Sequence, residues 1–313
     1  MPMRVLAIGT YSDLDAEALR QDFGAEILPG LDDLAGLSGR EAVAALAYKS
    51  GAALDGAVMD RLPGLKVIAN FGVGYDAIDI PAATARGIQV TNTPDVLNDD
   101  VADLAVAMWI ALARQMYPAE NWLREGAWHQ GRPLALARKA SGRRVGILGL
   151  GRIGREIANR LAAFKCEIHY VSRQEKETPG WTYHADATSL AAAVDDLFVA
   201  LVGGPDTEGA VSAEVILALG ADGTLINIAR GSVVDEEALL QALGNRLIRG
   251  AALDVFRDEP NIDRRFLALD NVLLLPHIGS ATTETRAEMG ALQRQNLRAV
   301  LDGQPALTPV NRV

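Results

Sequence analysis

The sequence predicts an α/β protein with two domains, each built on a parallel sheet. Segments of strand character alternate with helical segments along almost the whole chain, a pattern typical of parallel sheets covered by helices. A glycine-rich turn joins a short apolar strand to a helix near the middle of the chain. The chain has 313 residues, 49% of them hydrophobic, and is longer than one core usually serves.

The first hundred residues form an α/β unit of their own, with stop signals at Pro63-Gly64 and Gly87. The apolar run 42–48 is ambiguous between a strand and a helix end, because a run this short has no diagnostic period. The other predicted elements are strand 5–8, helix 15–23, strand 25–28, helix 54–62, strand 65–69, helix 81–86 and strand 88–91.

A long helix, from Val101 to about Gln115, is interpreted as a connector between the domains. Asn98, Asp99 and Asp100 precede it, and acidic residues at a helix start suit the helix dipole. The stretch 122–134 that follows is interpreted as looser structure.

The glycine-rich turn has the form G-x-G-x-x-G at Gly149, Gly151 and Gly154. It lies between the apolar strand 145–148 and a helix predicted over 155–164. Such glycines allow a tight turn, a close approach of the backbone to a pyrophosphate, and close packing of helix on strand. The N–H groups at the helix start then face the phosphates. The pattern predicts a Rossmann-like dinucleotide site.

The second half of the chain predicts a doubly wound sheet of about six strands. After the glycine turn the predicted elements are strand 167–171, helix 189–195, strand 197–201, helix 213–219, strand 224–229, helix 236–243, strands 250–255 and 271–275, and helix 283–301. The simplest topology returns the last helix to the first domain. We therefore expect an NAD(P)-binding domain at 99–283, inserted in a discontinuous substrate-binding domain at 1–98 and 284–313.

Composition narrows the class of protein. The formal net charge of −10 argues against nucleic acid or a membrane as a partner. The single cysteine, Cys166, cannot form an internal disulfide and fits a reducing compartment. The start of the sequence has no signal-peptide layout, and the longest uncharged apolar stretch, 104–113, is too short to span a bilayer. We expect a cytoplasmic protein and, without metal-spaced Cys or His, no metal site.

The second strand of the cofactor domain indicates which dinucleotide binds. NAD-binding domains usually have an acidic residue at the end of this strand, to accept from the ribose 2′-OH. Here Ser172 and Arg173 stand there, and a hydroxyl with a guanidinium suits a 2′-phosphate. The sequence therefore favours NADP(H). In the alternative, Arg173 is merely solvated and Glu175 serves the ribose of NAD(H).

Three polar residues follow predicted strands at the sheet edge where ligands bind: Arg230, Glu259 and His277. A histidine paired with a carboxylate suits a proton donor, and an arginine suits a substrate carboxylate. This set fits hydride transfer to a 2-keto acid. Asp254 or Asp258 remain alternatives to Glu259. The other histidines, His129, His169 and His184, are expected to be structural or exposed.

In this set of three residues, and in the segments given below, the chain resembles the D-2-hydroxyacid dehydrogenase family. Within the family it is most similar to the NADPH-dependent hydroxypyruvate/glyoxylate reductases. The likeness covers almost the whole chain. The matching segments are 72–79 (GVGYDAID), 92–97 (NTPDVL), 100–105 (DVADLA), 149–154 (GLGRIG), 227–232 (NIARGS), 252–256 (ALDVF), 259–260 (EP), 276–280 (PHIGS) and 307–311 (LTPVN).

The resemblance implies roles for single residues. His277 would be the proton donor, Glu259 its partner and Arg230 the substrate anchor. Substrate contacts are expected from Val73, Gly74, Arg230, His277 and Ser280, the first two through backbone N–H groups. Cofactor contacts are expected from Gly149, Gly151, Arg152, Ile153, Gly154, Ser172, Arg173, Ala229, Asp254 and Gly279, with Asp254 bonded to the nicotinamide carboxamide.

The chain also departs from the family's pattern. Asn98 stands where many relatives have threonine, and residues 202–205 (VGGP) replace a proline-led turn. Lys49 lies in the expected substrate-facing loop of the first domain, where it either adds a cation beside the substrate or is simply solvated.

The residues and the resemblance together predict NADPH-dependent reduction of glyoxylate and hydroxypyruvate in a cleft between two domains. The resemblance also implies a homodimer. One alternative is an NAD-dependent dehydrogenase of a larger D-2-hydroxy acid. Another is a dinucleotide-sensing interaction protein like the family's corepressor branch, which can retain the same catalytic set.

Overall fold

The computed structural model describes residues 3–313, which fall into two compact units. The first unit runs to Leu97 and resumes from Thr282 to Val313, and the second runs from Asn98 to Ala281. The first unit is therefore discontinuous in sequence. The assignment of substrate binding to one unit and cofactor binding to the other stays a prediction.

The described residues contain twelve strands and ten α-helices, numbered in chain order. The strands are β1 Arg4–Gly9, β2 Glu26–Leu28, β3 Val43–Lys49, β4 Val67–Asn70, β5 Gln89–Thr91, β6 Arg144–Leu148, β7 Glu167–Val171, β8 Thr182–His184, β9 Asp196–Val199, β10 Thr224–Asn227, β11 Gly250–Leu253 and β12 Val272–Leu274. The helices are α1 Asp13–Phe23, α2 Gly56–Asp60, α3 Ile80–Ala85, α4 Asn98–Ala113, α5 Met116–Arg124, α6 Arg152–Ala163, α7 Ala187–Ala193, α8 Ala213–Ala218, α9 Glu236–Gly244 and α10 Thr283–Leu301.

The first unit is a five-stranded parallel sheet in the order β2-β1-β3-β4-β5. Its central strands are buried on both faces, which explains why they are continuous apolar runs rather than alternating ones. The last helix, α10, packs on β3 and β4 of this sheet. Its buried Gln293 donates to the backbone oxygen of Ala69 at 2.7 Å, which joins helix and sheet by a polar contact.

The second unit is a seven-stranded parallel sheet in the order β12-β11-β10-β9-β6-β7-β8. Chain order reverses between β6 and β9, so a crevice opens beyond the carboxyl ends of these two strands. Helix α4 packs against α6, and its buried Trp109 lies edge-on to Phe164, with ring centroids 5.5 Å apart. The predicted fold class, two parallel-sheet units with one doubly wound and inserted in the other, is confirmed.

Several element predictions were wrong or incomplete. The apolar run 42–48 is strand β3, the central neighbour of β1 and β4. Helix α5 extends into the stretch predicted to be loose; its Pro118 lies in the first turn, where no N–H bond is lost. Strand β8 was missed, because three residues at a sheet edge carry no periodic signal. Helix α6 starts at Arg152 rather than 155, so Gly154 lies inside its first turn.

Across residues 3–313, no helix combines the length and the apolar character that a bilayer span requires.

Candidate active site

The glycine turn after β6 has the geometry that its glycines predict. A Cβ atom on Gly149 would lie 2.8 Å from the backbone oxygen of Ala200, and its φ of +105° is one that L side chains rarely adopt. A Cβ atom on Gly154 would lie only 2.1 Å from the oxygen of Gly149, so this glycine permits the packing of α6 on the turn. In contrast, no described atom lies within 4 Å of a Cβ on Gly151. The turn is therefore tight at its first and third glycines and open at the second.

The open position suits a pyrophosphate. Gly151 is the N-cap of α6, and among the described residues no side chain caps this helix start. The backbone N–H groups of the first turn thus face the space beside Gly151, with the positive end of the helix dipole behind them. This is the usual environment for dinucleotide phosphates, so the predicted cofactor residues Arg152 and Ile153, at the start of α6, fit such a ligand.

The segment after β7 carries the residues predicted to select NADP(H). The Ser172 hydroxyl donates to the backbone oxygen of Gln174, and Arg173 is exposed. The ammonium group of Lys176, a residue that the sequence analysis did not single out, donates to the oxygen of Leu150 at 2.7 Å. Lys176 is held by its backbone N–H, which donates to the Tyr170 hydroxyl at 2.9 Å. Two cations therefore flank the turn at which a 2′-phosphate is expected, and one of them contacts the glycine turn itself.

Two of the three predicted catalytic residues are in direct contact. The Nδ1 atom of His277 lies 2.7 Å from Oε2 of Glu259, and the side chains are 45% and 34% exposed. Oε1 of Glu259 accepts from the backbone N–H of Phe256 at 2.9 Å. Burial by itself would raise the pKa of Glu259, but the bond to His277, the Phe256 N–H and the charge of Arg230 lower it below its usual value. The carboxylate is therefore kept ionised beside the imidazole.

Arg230 lies in a turn that is braced from both sides. The side chain of Asn227, at the end of β10, donates to the oxygen of Arg230 at 3.0 Å and accepts from the N–H of Ala229 at 3.0 Å. A Cβ atom on Gly231 would lie 1.9 Å from the backbone of Phe256, so the Arg230 turn packs directly on the turn that holds Glu259. The guanidinium is close enough for its charge to lower the pKa of Glu259.

Asp254, at the end of β11, holds the segment that carries His277. Its two carboxylate oxygens accept from the backbone N–H groups of Ile278 and Gly279, each at 2.8 Å. Its backbone oxygen accepts from the N–H of His277, also at 2.8 Å. Three bonds from one buried residue thus stabilise His277 at a φ of +55°, a left-handed conformation that costs a non-glycine residue about 1 kcal/mol. The predicted bond from Asp254 to a carboxamide stays a prediction.

In the first unit, the loop after β4 presents two backbone N–H groups. The buried Asn70 donates to the oxygens of Gly72 and Gly74 at 3.1 and 2.8 Å, and Asn92 donates to that of Val73 at 2.9 Å. The two asparagines thus occupy the carbonyl oxygens of this loop. The backbone N–H groups of Val73 and Gly74 have no hydrogen-bond acceptor anywhere in the described chain. A pair of unbonded N–H groups in a glycine loop suits an anion such as a carboxylate.

The alternatives that the sequence left open can now be placed. Asp258 is exposed, and Asp254 is engaged by the His277 segment, so the residue in contact with the imidazole is Glu259. His169 and His184 contact each other at 2.9 Å on β7 and β8.

Sequence reasoning missed four residues that position the others: Asn70, Asn92, Asn227 and Lys176. The asparagines stand at or just after strand ends, the same signal that identified Arg230. Sequence reasoning passed over them because an amide side chain carries no charge and does not act as an acid or base, so nothing indicated that these residues position the others.

Comparison with known proteins finds similar proteins over most of the chain. A family model described as the NAD-binding domain of D-isomer specific 2-hydroxyacid dehydrogenases matches residues 106–279, more than half of the chain. A hydroxyphenylpyruvate reductase of Plectranthus scutellarioides is 45% identical over 270 residues, which is 86% of each chain. The glyoxylate/hydroxypyruvate reductase A HPR2 of Arabidopsis thaliana is 44% identical over 271 residues, or 87% of this chain and 86% of that one.

A solved structure matches the whole chain. The NADPH-dependent glyoxylate/hydroxypyruvate reductase of Sinorhizobium meliloti, in complex with NADP and malonate, superposes with a TM-score of 0.94 and 42% identity over all of both chains.

Proposed function

Since the chain belongs to the D-isomer specific 2-hydroxyacid dehydrogenase family, we propose that it reduces small 2-keto acids, glyoxylate and hydroxypyruvate foremost, with NADPH. The observation that carries this proposal is the contact between His277 and Glu259 beside Arg230. A 44% identical relative and the protein of the matching NADP complex are both named glyoxylate/hydroxypyruvate reductases.

Each residue of the site has its own role in the proposed reaction. NADPH, when bound, supplies the hydride that adds to the carbonyl carbon. His277 donates a proton from Nε2 to the carbonyl oxygen, because its Nδ1 atom is engaged by Glu259. Glu259 contacts Nδ1 of His277 at 2.7 Å and so fixes the orientation of the ring. Arg230 binds the substrate carboxylate and polarises the carbonyl group.

The proposal also assigns supporting contacts. The N–H groups of Val73 and Gly74 bind the substrate carboxylate, which their lack of an acceptor among the described residues supports. Ser280 contacts substrate or cofactor. The cofactor contacts are those of the glycine turn with Ser172, Arg173, Ala229, Asp254 and Gly279, and Arg173 binds the 2′-phosphate.

The two rival hypotheses are not favoured. The curated relatives that match are named as reductases, which gives no support to a corepressor-like protein without turnover. The matching NADP complex favours NADPH over an NAD-linked dehydrogenase. We further propose a cytoplasmic location, supported by the single cysteine, and a homodimer, supported by the family resemblance.

The direct test is NADPH oxidation by the purified full chain with glyoxylate or hydroxypyruvate, in parallel with a count of the 2-hydroxy acid formed. One hydroxy acid should appear for each NADPH consumed. No NADPH loss with any short 2-keto acid would refute the proposal, and hydroxyphenylpyruvate belongs in the panel because one relative bears that name.

A further inference from the structure

Two cations share one aromatic ring in the first unit. The ammonium group of Lys49 lies 4.4 Å from the ring centroid of Phe71, and the guanidinium carbon of Arg286 lies 5.8 Å from the same centroid. Tyr11 completes the cluster, since its ring is edge-on to Phe71 and 5.3 Å from the Lys49 ammonium. Aromatic rings hold cations through their faces without neutralising them.

Neither cation has a carboxylate partner within ion-pair distance in the described chain. The nearest acidic influence comes from Asp15, but the carboxylate of Asp15 already accepts from the Ser12 hydroxyl at 2.8 Å and lies 3.6 Å from Arg294. Many other arginines of this acidic protein are paired with carboxylates, for example Arg143 with Asp196. Lys49 and Arg286 therefore stand out as surplus positive charge.

Holding two partly buried cations together without counter-charge costs free energy. Burial, together with repulsion from Arg286, lowers the pKa of Lys49, and burial also lowers the pKa of Arg286. Uncompensated, partly buried charges of this kind are concentrated at functional sites, and a bound anion would supply the missing charge here.

The location of the pair indicates which anion. Lys49 is the last residue of β3, and Phe71 directly follows β4, so both lie at the carboxyl end of the sheet. Phe71 immediately precedes the loop whose Val73 and Gly74 N–H groups are proposed to bind the reacting carboxylate. Arg286 lies in the first turns of α10, where the helix dipole also favours negative charge.

We propose that Lys49 and Arg286 bind a second carboxylate of the substrate, so that the enzyme prefers 2-keto dicarboxylates to monocarboxylates of the same length. This inference rests on the proposed function and deepens it. Within the first unit, the N–H groups of Val73 and Gly74 are proposed for the reacting carboxylate, so Lys49 and Arg286 would bind a second carboxylate of the same substrate.

The test compares kcat/KM for matched substrates, 2-ketoglutarate against 2-ketopentanoate and oxaloacetate against 2-ketobutanoate, with NADPH in excess. The wild type should prefer at least one dicarboxylate by about tenfold, the usual scale for one well-placed charge pair. Lys49→Met and Arg286→Met, which keep an apolar stem against Phe71, should abolish the preference by lowering kcat/KM for the dicarboxylate far more than for its matched monocarboxylate. Lys49→Arg should retain it.

Lys66→Met is the matched control, because Lys66 is exposed and precedes β4 at the opposite end of the strand. It should leave the preference intact. An equal fall in kcat/KM for the dicarboxylate and its matched monocarboxylate in Lys49→Met would overturn the inference. It would show instead that Lys49 and Arg286 act on the reacting carboxylate. No preference in a wild type that reduces glyoxylate would overturn it as well.

A binding measurement separates failure of the inference from failure of the proposed function. Calorimetry of the full chain with NADP⁺ should give tighter binding of glutarate than of pentanoate in the wild type, and no difference in Lys49→Met. This result supports the anion site even where no keto acid is reduced. Equal binding of both acids by the wild type overturns the inference, whereas the absence of glyoxylate reduction overturns only the proposed function.

Discussion

The Nδ1 atom of His277 lies 2.7 Å from Oε2 of Glu259, while Oε1 of the same carboxylate accepts from the backbone N–H of Phe256. The glutamate is therefore fixed at both oxygens, and the histidine at one nitrogen. This leaves Nε2 of His277 for the substrate and makes Glu259 a residue that positions the proposed proton donor.

The Glu259 contact predicts a pH-dependent contribution to stability. The pKa of Glu259 in the folded protein is below its ordinary value of 4.5, because the bonds from His277 and Phe256 outweigh burial. A lowered carboxyl pKa stabilises the fold at pH above the ordinary value, and this contribution is lost as pH falls through the lower, folded value. The free energy of unfolding of the wild type minus that of Glu259→Gln should therefore shrink on acidification below about pH 4.5. Chemical denaturation at a series of pH values measures it, and a difference that grows towards acid contradicts the account.

Substitution of Asp254 should lower the activity, although Asp254 takes no part in the proposed proton or hydride transfer. Asp254→Asn replaces one of the two oxygens that accept from Ile278 and Gly279 by an amide donor, so the segment that carries His277 should shift. We expect kcat to fall by about tenfold to a hundredfold, the scale for a displaced catalytic group. Steady-state kinetics measures this, with the exposed neighbour Asp258→Asn as a control that should match the wild type. Equal kcat values for the two variants would show that the bonds from Asp254 do not position His277.

Cofactor choice is predicted to depend on Arg173 and not on Glu175. Arg173→Ala should lower kcat/KM for NADPH by about tenfold or more and leave that for NADH unchanged, because only NADPH carries the 2′-phosphate. Glu175→Ala, a change at an equally exposed position two residues away, should leave the NADPH to NADH ratio as it is. A fall in NADH efficiency in the Glu175 variant would instead assign the ribose to that carboxylate and reverse the cofactor prediction.

Two alanine substitutions in the glycine turn should affect different properties, the stability of the fold in one case and the affinity for NADPH in the other. Gly154→Ala forces a Cβ to within 2.1 Å of the Gly149 oxygen and should destabilise the fold by about 1–3 kcal/mol, the usual cost of overpacking. Gly151→Ala meets no described atom within 4 Å and should leave stability unchanged, yet fill the space where a pyrophosphate approaches. Denaturation with fluorescence titration of NADPH separates the two effects. Normal NADPH affinity in Gly151→Ala would show that the phosphates lie elsewhere.

Features carried by a local pattern could be predicted from the sequence. The glycine turn, the strand that precedes it and the helix 283–301 each have a period or spacing of their own, and the structure has helix α10 at these bounds. Arg230, Glu259 and His277 were singled out as candidates because each follows a strand and because ligands bind at the carboxyl ends of parallel strands. The structure brings His277 and Glu259 into contact, and their catalytic roles stay a prediction.

What depends on distant residues could not be predicted. Asn92 holds the oxygen of Val73, and Arg286 meets Lys49 at Phe71, although nothing in the sequence links the members of either set. Helix α5 begins after Gln115, whose φ of +50° separates it from α4, and nothing in the sequence marks this break between two helices. Sequence periodicity reports the environment of a segment, whereas these features arise when separate segments meet.

We propose that His277 delivers the proton during reduction of a 2-keto acid by NADPH, and every role assigned to Glu259 and Asp254 depends on it. The most direct measurement is single-turnover oxidation of bound NADPH by glyoxylate in His277→Gln, with His129→Gln as the matched control on an exposed turn. We expect His277→Gln to bind NADPH normally but to reduce glyoxylate at least about a hundredfold more slowly, while the control matches the wild type. A wild-type rate in His277→Gln would contradict it.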